Sequence, residues 1–162
     1  MSFVVAAHSA EATHSLGERL ASVLRAGDLL ILTGGLGAGK TTFTQGLGSG
    51  MSVRGDITSP TFVIARVHPS LVGGPALVHV DAYRLGGAAE LDDLDLDTSL
   101  DEAVTVVEWG EGLAEGLAED RLEVSLTRPR SDDPDQGSDV RQLLFTPVGA
   151  RWTDSGLADA LA

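Results

Sequence analysis

The sequence predicts an α/β sandwich built on a mixed sheet with antiparallel hairpin strands, and three observations carry that prediction. Short apolar, β-rich runs alternate with stretches whose leucines and valines recur at helical spacing. One run, Leu29-Leu30-Ile31-Leu32, enters a glycine-rich bend that leads straight into a helix-like segment. Two later β-rich runs, residues 61–67 and 77–83, flank Pro69-Ser70-Leu71-Val72-Gly73-Gly74-Pro75, a turn-type spacing that suits an antiparallel hairpin.

Taken in order, residues 3–6 read as a short strand, and Ser9 caps a helix on which Leu16, Leu20, Val23 and Leu24 share a face. That helix is expected to end near Gly27. Residues 29–33 form the strand entering the bend, Thr41-Thr42-Phe43-Thr44-Gln45 open the next helix, and the glycine-rich residues 48–56 end it. After the hairpin come short helices over residues 90–96 and 99–103, a buried strand over 104–107, and a helix over 111–118. Late strands over 122–127 and 140–146 flank a loop, residues 129–137, rich in proline, aspartate and serine. Residues 152–162 read as a terminal helix, loosely attached to a single domain spanning residues 1–162.

The chemistry concentrates at one place. A single lysine occurs in 162 residues, Lys40, and it sits in Gly34-Gly35-Leu36-Gly37-Ala38-Gly39-Lys40-Thr41, the G-x-x-x-x-G-K-[ST] spacing of a phosphate-binding loop. Ten arginines meet the chain's other basic needs, so a lysine kept only here points to a compact ammonium reaching nucleotide β- and γ-phosphates. Glycines in the bend let successive N–H groups turn inward as a nest for anionic oxygens, and the helix start adds further donors. Thr41 offers a hydroxyl to Mg²⁺. A glycine-rich turn that binds nothing would share the spacing, but the strand before and helix after are the context the motif requires. The fold class is therefore a P-loop NTPase-like sandwich.

Such a loop needs a carboxylate at the metal, usually at the end of an apolar strand of the same sheet. Two places qualify: Asp81, closing Leu77-Val78-His79-Val80, and Glu108, closing Val104-Thr105-Val106-Val107. Either acid taken alone reads equally well as a turn or cap residue. Together with the loop, one is expected to ligate Mg²⁺ and the other to orient the attacking water.

Composition bounds the rest. Hydrophobic residues make up 43% of the chain, enough for a normal core, and no run of 18 apolar residues offers a membrane span. The first residues lack a basic n-region and Glu11 soon interrupts them, so no secretory signal is read and cytoplasmic residence is expected. Zero cysteines exclude disulfides and cysteine-ligated metals. The formal net charge of −13 argues against autonomous RNA or DNA binding, which normally needs a basic stripe. The densest acidic block, residues 90–97, reads as a solvated helix face with its leucines turned inward rather than a dock for a basic partner.

Four blocks in order resemble the TsaE (YjeE) family of small ATPases in tRNA threonylcarbamoyladenosine formation. They are residues 34–43, then Ser59-Pro60-Thr61-Phe62, then His79-Val80-Asp81-Ala82-Tyr83-Arg84-Leu85, then Val107-Glu108-Trp109. The resemblance implies that Gly35, Leu36, Gly37, Ala38, Gly39, Lys40, Thr41 and Thr42 wrap ATP, with Thr41 and Glu108 holding Mg²⁺ and Asp81 beside the metal. It also implies that Ser59-Pro60-Thr61 senses the γ-phosphate, so that Thr61 joins Lys40, Asp81 and Glu108 as catalytic candidates, and that Trp109 lies against the site. Ser9, Ala10 and Arg141 border the adenine in this likeness. The implied partners are TsaD- and TsaB-like proteins that hold the tRNA, so that this chain meets tRNA only indirectly. Gly35 stands where the family commonly has Asp, and Glu111-Gly112 follows Trp109 without the basic residue often found there.

Other classes compete. A GTPase conflicts with the lysine count, because guanine readout commonly uses a second lysine in an Asn-Lys-x-Asp segment. A small-molecule kinase would use the same cradle, with Arg128-Pro129-Arg130 as its one lid candidate. A nucleotide-gated adaptor without turnover is the third reading.

Overall fold

The computed structural model describes residues 2–34, 39–53, 65–81, 102–108, 120–127, 140–153 and 155–161. They form a seven-stranded mixed sheet with helices, the expected α/β class. The strands are β1 (Phe3–Ala7), β2 (Leu29–Thr33), β3 (Ala65–His68), β4 (Ala76–Asp81), β5 (Ala103–Glu108), β6 (Arg121–Thr127) and β7 (Arg141–Val148). The helices are α1 (Ala10–Ala21), α2 (Lys40–Met51) and a short α3 (Leu157–Leu161).

The sheet runs β1-β7-β6-β2-β5-β4-β3. Its centre, β6-β2-β5-β4, is parallel, while β7, β1 and β3 add antiparallel pairs at the flanks. Burial follows this order. All six residues of central β5 are buried, as are the first four of β2, whereas β6 alternates buried and half-buried positions. The expected hairpin is the β3–β4 pair, with Val67 opposite Val78.

One face of the sheet carries the main core. Leu30 and Leu32 of β2, Val104 and Val106 of β5, and Leu143 and Phe145 of β7 meet Leu16 and Leu20 of α1 and Phe43 and Leu47 of α2. Phe145 stacks on Phe3 at 5.3 Å between ring centroids and meets Phe43 in a tilted pair at 6.2 Å. Each such fully buried side chain contributes about 1.5–3 kcal/mol.

The two helices touch backbone to backbone. A Cβ built on Gly17 of α1 would fall against the Phe43 carbonyl oxygen and 2.8 Å from the Leu47 nitrogen; one on Gly46 of α2 would fall against the His14 carbonyl oxygen. Only glycine fits at that crossing. The helix ends at Met51, inside the expected 48–56 stretch, after running through Gly48 and Gly50, because packing outweighs their low propensity. Ser52 ends it in the left-handed region at φ 56°, its N–H donating to Gly48 and Ser49 carbonyls.

The expected end of α1 near Gly27 is corrected to Ala21. Val23 and Leu24 donate their N–H groups to Leu20 and Ala21 carbonyls in tighter turns, and both still pack on the core, which prolongs the apolar spacing past the helix. Strand β7 runs beyond its expected end at Thr146 to Val148; its Pro147 lies past Phe145, where pairing with β1 stops. In place of one helix from residue 152 on, the described residues form a 3₁₀ turn (Ala150–Trp152) and then α3. Trp152, Leu157 and Leu161 are buried in the main core. The expected helices over 90–96 and 111–118, the acidic block and the 129–137 loop lie outside the described residues.

At the N-terminal pole of the parallel strands, Arg151 ties three elements together. Its Nε and Nη2 each lie 2.8 Å from an Asp28 carboxylate oxygen, and Nη2 donates to the Val23 carbonyl at 2.7 Å. The guanidinium carbon lies 4.5 Å from the Trp152 ring centroid. Asp28 also accepts from the Arg25 N–H at 2.8 Å, and Asp120 from the Arg151 N–H at 2.9 Å.

Two outcomes follow. Gly46→Ala should gain about 1 kcal/mol in helix propensity yet lose overall by about 2 kcal/mol or more, because a methyl there meets the α1 backbone. Urea unfolding decides; a stabilised variant would contradict the close crossing. Arg151→Met should cost about 3 kcal/mol in the same assay by leaving Asp28 buried without its counter-charge, and a loss below about 1 kcal/mol would show the pair to be weak.

Candidate functional site

Strand β2 delivers the loop from the middle of the sheet. Its end, Thr33, leads to Gly34 at the C-terminal edge of the parallel strands, where open α/β sheets usually place their ligands. Gly35, Leu36, Gly37 and Ala38 lie outside the described residues. The chain resumes at Gly39, the N-cap of α2, with φ 103°, a backbone state that strains any residue with a Cβ.

Three elements wall this bend. A Cβ on Gly39 would rest 3.6 Å from Thr13 Cγ2 of α1, 3.7 Å from Leu126 Cδ2 of β6 and 3.9 Å from Arg141 Cγ of β7. The start of α2 has no side-chain cap and no acidic residue in its first turn. Its leading N–H groups and the positive end of the helix dipole therefore suit an anion.

Lys40 is 8% exposed, and its Nζ donates to the Gly34 carbonyl at 2.6 Å, joining the two ends of the bend. Thr41 and Thr42 follow, half-buried in the first turn, and Thr44 Oγ1 donates back to the Lys40 carbonyl at 2.8 Å. Ser9 caps α1, its Oγ accepting from the Ala12 N–H at 3.0 Å, while Thr13 Oγ1 donates to the Ser9 carbonyl at 3.3 Å. Ala10 opens that helix and is exposed. Arg141 opens β7 opposite Ala7 of β1, with Nη1 donating to the Val140 carbonyl at 2.9 Å. The fold thus brings Arg141 and the start of α1 to the bend that Gly39 makes.

The two expected acids close neighbouring strands. Glu108 ends β5, paired in register with Leu32 of β2 on one side and Asp81 of β4 on the other. It is 3% exposed. The site edge therefore runs Gly34, Glu108, Asp81 across three adjacent parallel strands. Among the described residues no group of three or more His, Cys, Asp or Glu side chains is placed to cage a metal. Thr61, Ser59, Pro60, Tyr83, Arg84 and Trp109 lie outside the described residues.

One residue gained no role from the sequence. His79 of β4 is fully buried, with Nε2 3.2 Å from Glu108 Oε2. The contact is not aligned as a hydrogen bond, and among the described residues neither ring nitrogen has a hydrogen-bond partner. Burying a polar group unsatisfied costs about 1–3 kcal/mol. Its signal in the sequence was a titratable side chain inside an otherwise aliphatic strand.

Comparison with known proteins bears directly on this arrangement. The family model described as threonylcarbamoyl adenosine biosynthesis protein TsaE matches residues 7–136. The protein named tRNA threonylcarbamoyladenosine biosynthesis protein TsaE in Streptomyces coelicolor is 60% identical over 144 residues, covering 88% of this chain and 95% of that one. Its Bacillus subtilis namesake is 36% identical over 143 residues, covering 88% of this chain and 84% of that one. The crystal structure of Bacillus subtilis YdiB superposes with a TM-score of 0.74 at 31% identity, over 99% of this chain and 94% of that one. With the family model spanning the loop, both acid-ended strands, β3 and β6, the chain belongs to the TsaE family.

Proposed function

We propose that this chain is a Mg²⁺-dependent ATPase required for N6-threonylcarbamoyladenosine formation on tRNA, acting in the cytoplasm in complex with TsaD- and TsaB-like proteins. The observation that carries this reading is the bend itself: Gly39 at φ 103° against three walls, with Lys40 drawn across it. The uncapped start of a helix with one compact cation beside it suits a polyphosphate tail.

Within this reading Gly35, Leu36, Gly37, Ala38, Gly39, Lys40, Thr41 and Thr42 wrap the phosphates, and the Lys40 ammonium meets the β- and γ-oxygens. The Thr41 hydroxyl and the Glu108 carboxylate would hold Mg²⁺, with Asp81 next to it in the strand register. Bound Mg²⁺ supplies neutralising charge to the β- and γ-phosphate oxygens. Thr61 would respond to the γ-phosphate, and Ser9, Ala10 and Arg141 would border the adenine. The net charge of −13 supports a division of labour in which partner proteins grip the tRNA. ATP binding would dock the chain on that assembly and hydrolysis would reset it. No arginine stands in the sequence as an obvious internal finger, so turnover alone should be slow and partners should accelerate it.

Lys40→Ala should lower phosphate release by about 100-fold or more and weaken ATP binding, each measured separately on the purified chain. Lost binding with no turnover in the wild type would indicate an adaptor, and label appearing on an organic acceptor would indicate a kinase. In cells depleted of the protein, threonylcarbamoyladenosine in tRNA, quantified by mass spectrometry, should fall and return with the wild type but not with Lys40→Ala. Unchanged modification after depletion would contradict the proposal.

A further inference from the structure

We propose that His79 is a positioning residue for Glu108, orienting its carboxylate toward Mg²⁺; this rests on the reading of Glu108 as a magnesium ligand. Strands β4 and β5 run parallel, with His79 in register with Val106 and Asp81 with Glu108. Side chains two residues apart on a strand share a face, so an imidazole at His79 reaches forward diagonally to the carboxylate at the strand end. The measured approach is 3.2 Å between Nε2 and Oε2, with the ring fully buried and Glu108 almost so.

Packing alone does not account for a histidine here. The neighbours Leu77, Val78 and Val80 are buried aliphatics, and a leucine in place of His79 would leave no polar atom to satisfy. Instead the core holds two ring nitrogens without aligned partners, one of them against the oxygen of a candidate metal ligand. Unsatisfied buried groups of this kind collect where function outweighs stability. An N–H at Nε2, 3.2 Å from one carboxylate oxygen, biases the rotation of the carboxylate toward the ring and leaves the other oxygen for the metal.

The test compares His79→Gln, whose amide nitrogen replaces Nε2, with His79→Asn, whose amide nitrogen replaces Nδ1, and includes Glu108→Gln. Binding of a non-hydrolysable ATP analogue is followed by calorimetry across a magnesium titration, with thermal stability measured in parallel. His79→Asn should raise the half-saturating magnesium about tenfold or more, as outer-shell losses do, while His79→Gln stays within about threefold of wild type. Magnesium-free analogue binding should be unchanged in both. If Glu108→Gln shifts the magnesium dependence and His79→Asn does not, the role of His79 is overturned alone. Equal shifts in Asn and Gln variants with matching losses of stability would reduce His79 to packing. If Glu108→Gln leaves the magnesium dependence unchanged, the underlying assignment of Glu108 fails, and that of His79 with it.

Discussion

The approach of α1 to α2 fixes where the first turn of α2 stands, and the rest of the site takes its geometry from that turn. Gly17 and Gly46 let the two backbones meet where any side chain would hit a carbonyl. A helix with glycines at 46, 48 and 50 is intrinsically weak, at about 1 kcal/mol per glycine. Its order comes from α1 on one side and the Phe43 and Leu47 contacts with the core on the other. Gripping phosphates with backbone N–H groups demands that those groups stay within a fraction of an ångström, which rigid tertiary packing provides and local propensity does not.

The two poles of the sheet have different chemistry. At the N-terminal pole of the parallel strands, the buried Asp28–Arg151 pair, its carbonyl contact and the Trp152 ring join the turn after α1, the start of β2 and the 3₁₀ turn. This is ionic structure whose groups are satisfied by one another. At the opposite edge, polar groups converge without mutual saturation: the uncapped start of α2, Glu108 at the end of β5, and His79 behind it with no aligned partner. The closed ion pair at one pole and the uncapped helix start beside Glu108 at the other separate the scaffold from the candidate site.

Parts of this were legible in the chain because they are local. The run Leu29 to Leu32, the glycines and Lys40 specify strand, bend and helix within a dozen residues, and Ser9 announces α1 by its side-chain chemistry. The strands ending in Asp81 and Glu108 were equally readable. What failed to read depends on partners distant in sequence. The glycines of α2 mark where the helix ends but not that α1 lies against them, and Val23 and Leu24 keep helical phase after α1 has already ended. The order β1-β7-β6-β2-β5-β4-β3 is a matter of pairing, which periodicity does not encode. His79 was visible as a residue but not as a neighbour of Glu108, since that contact exists only once β4 and β5 lie side by side.

The central claim is that the bend between β2 and α2 holds a nucleotide polyphosphate through inward-facing peptide N–H groups. Isothermal titration of the wild-type chain with ATP in excess Mg²⁺ tests it most directly. The account predicts saturable heat at one site per chain with a Kd below about 1 mM, corresponding to roughly 4 kcal/mol or more of binding free energy. No heat up to several times that concentration, from a chain shown to be folded, would contradict it.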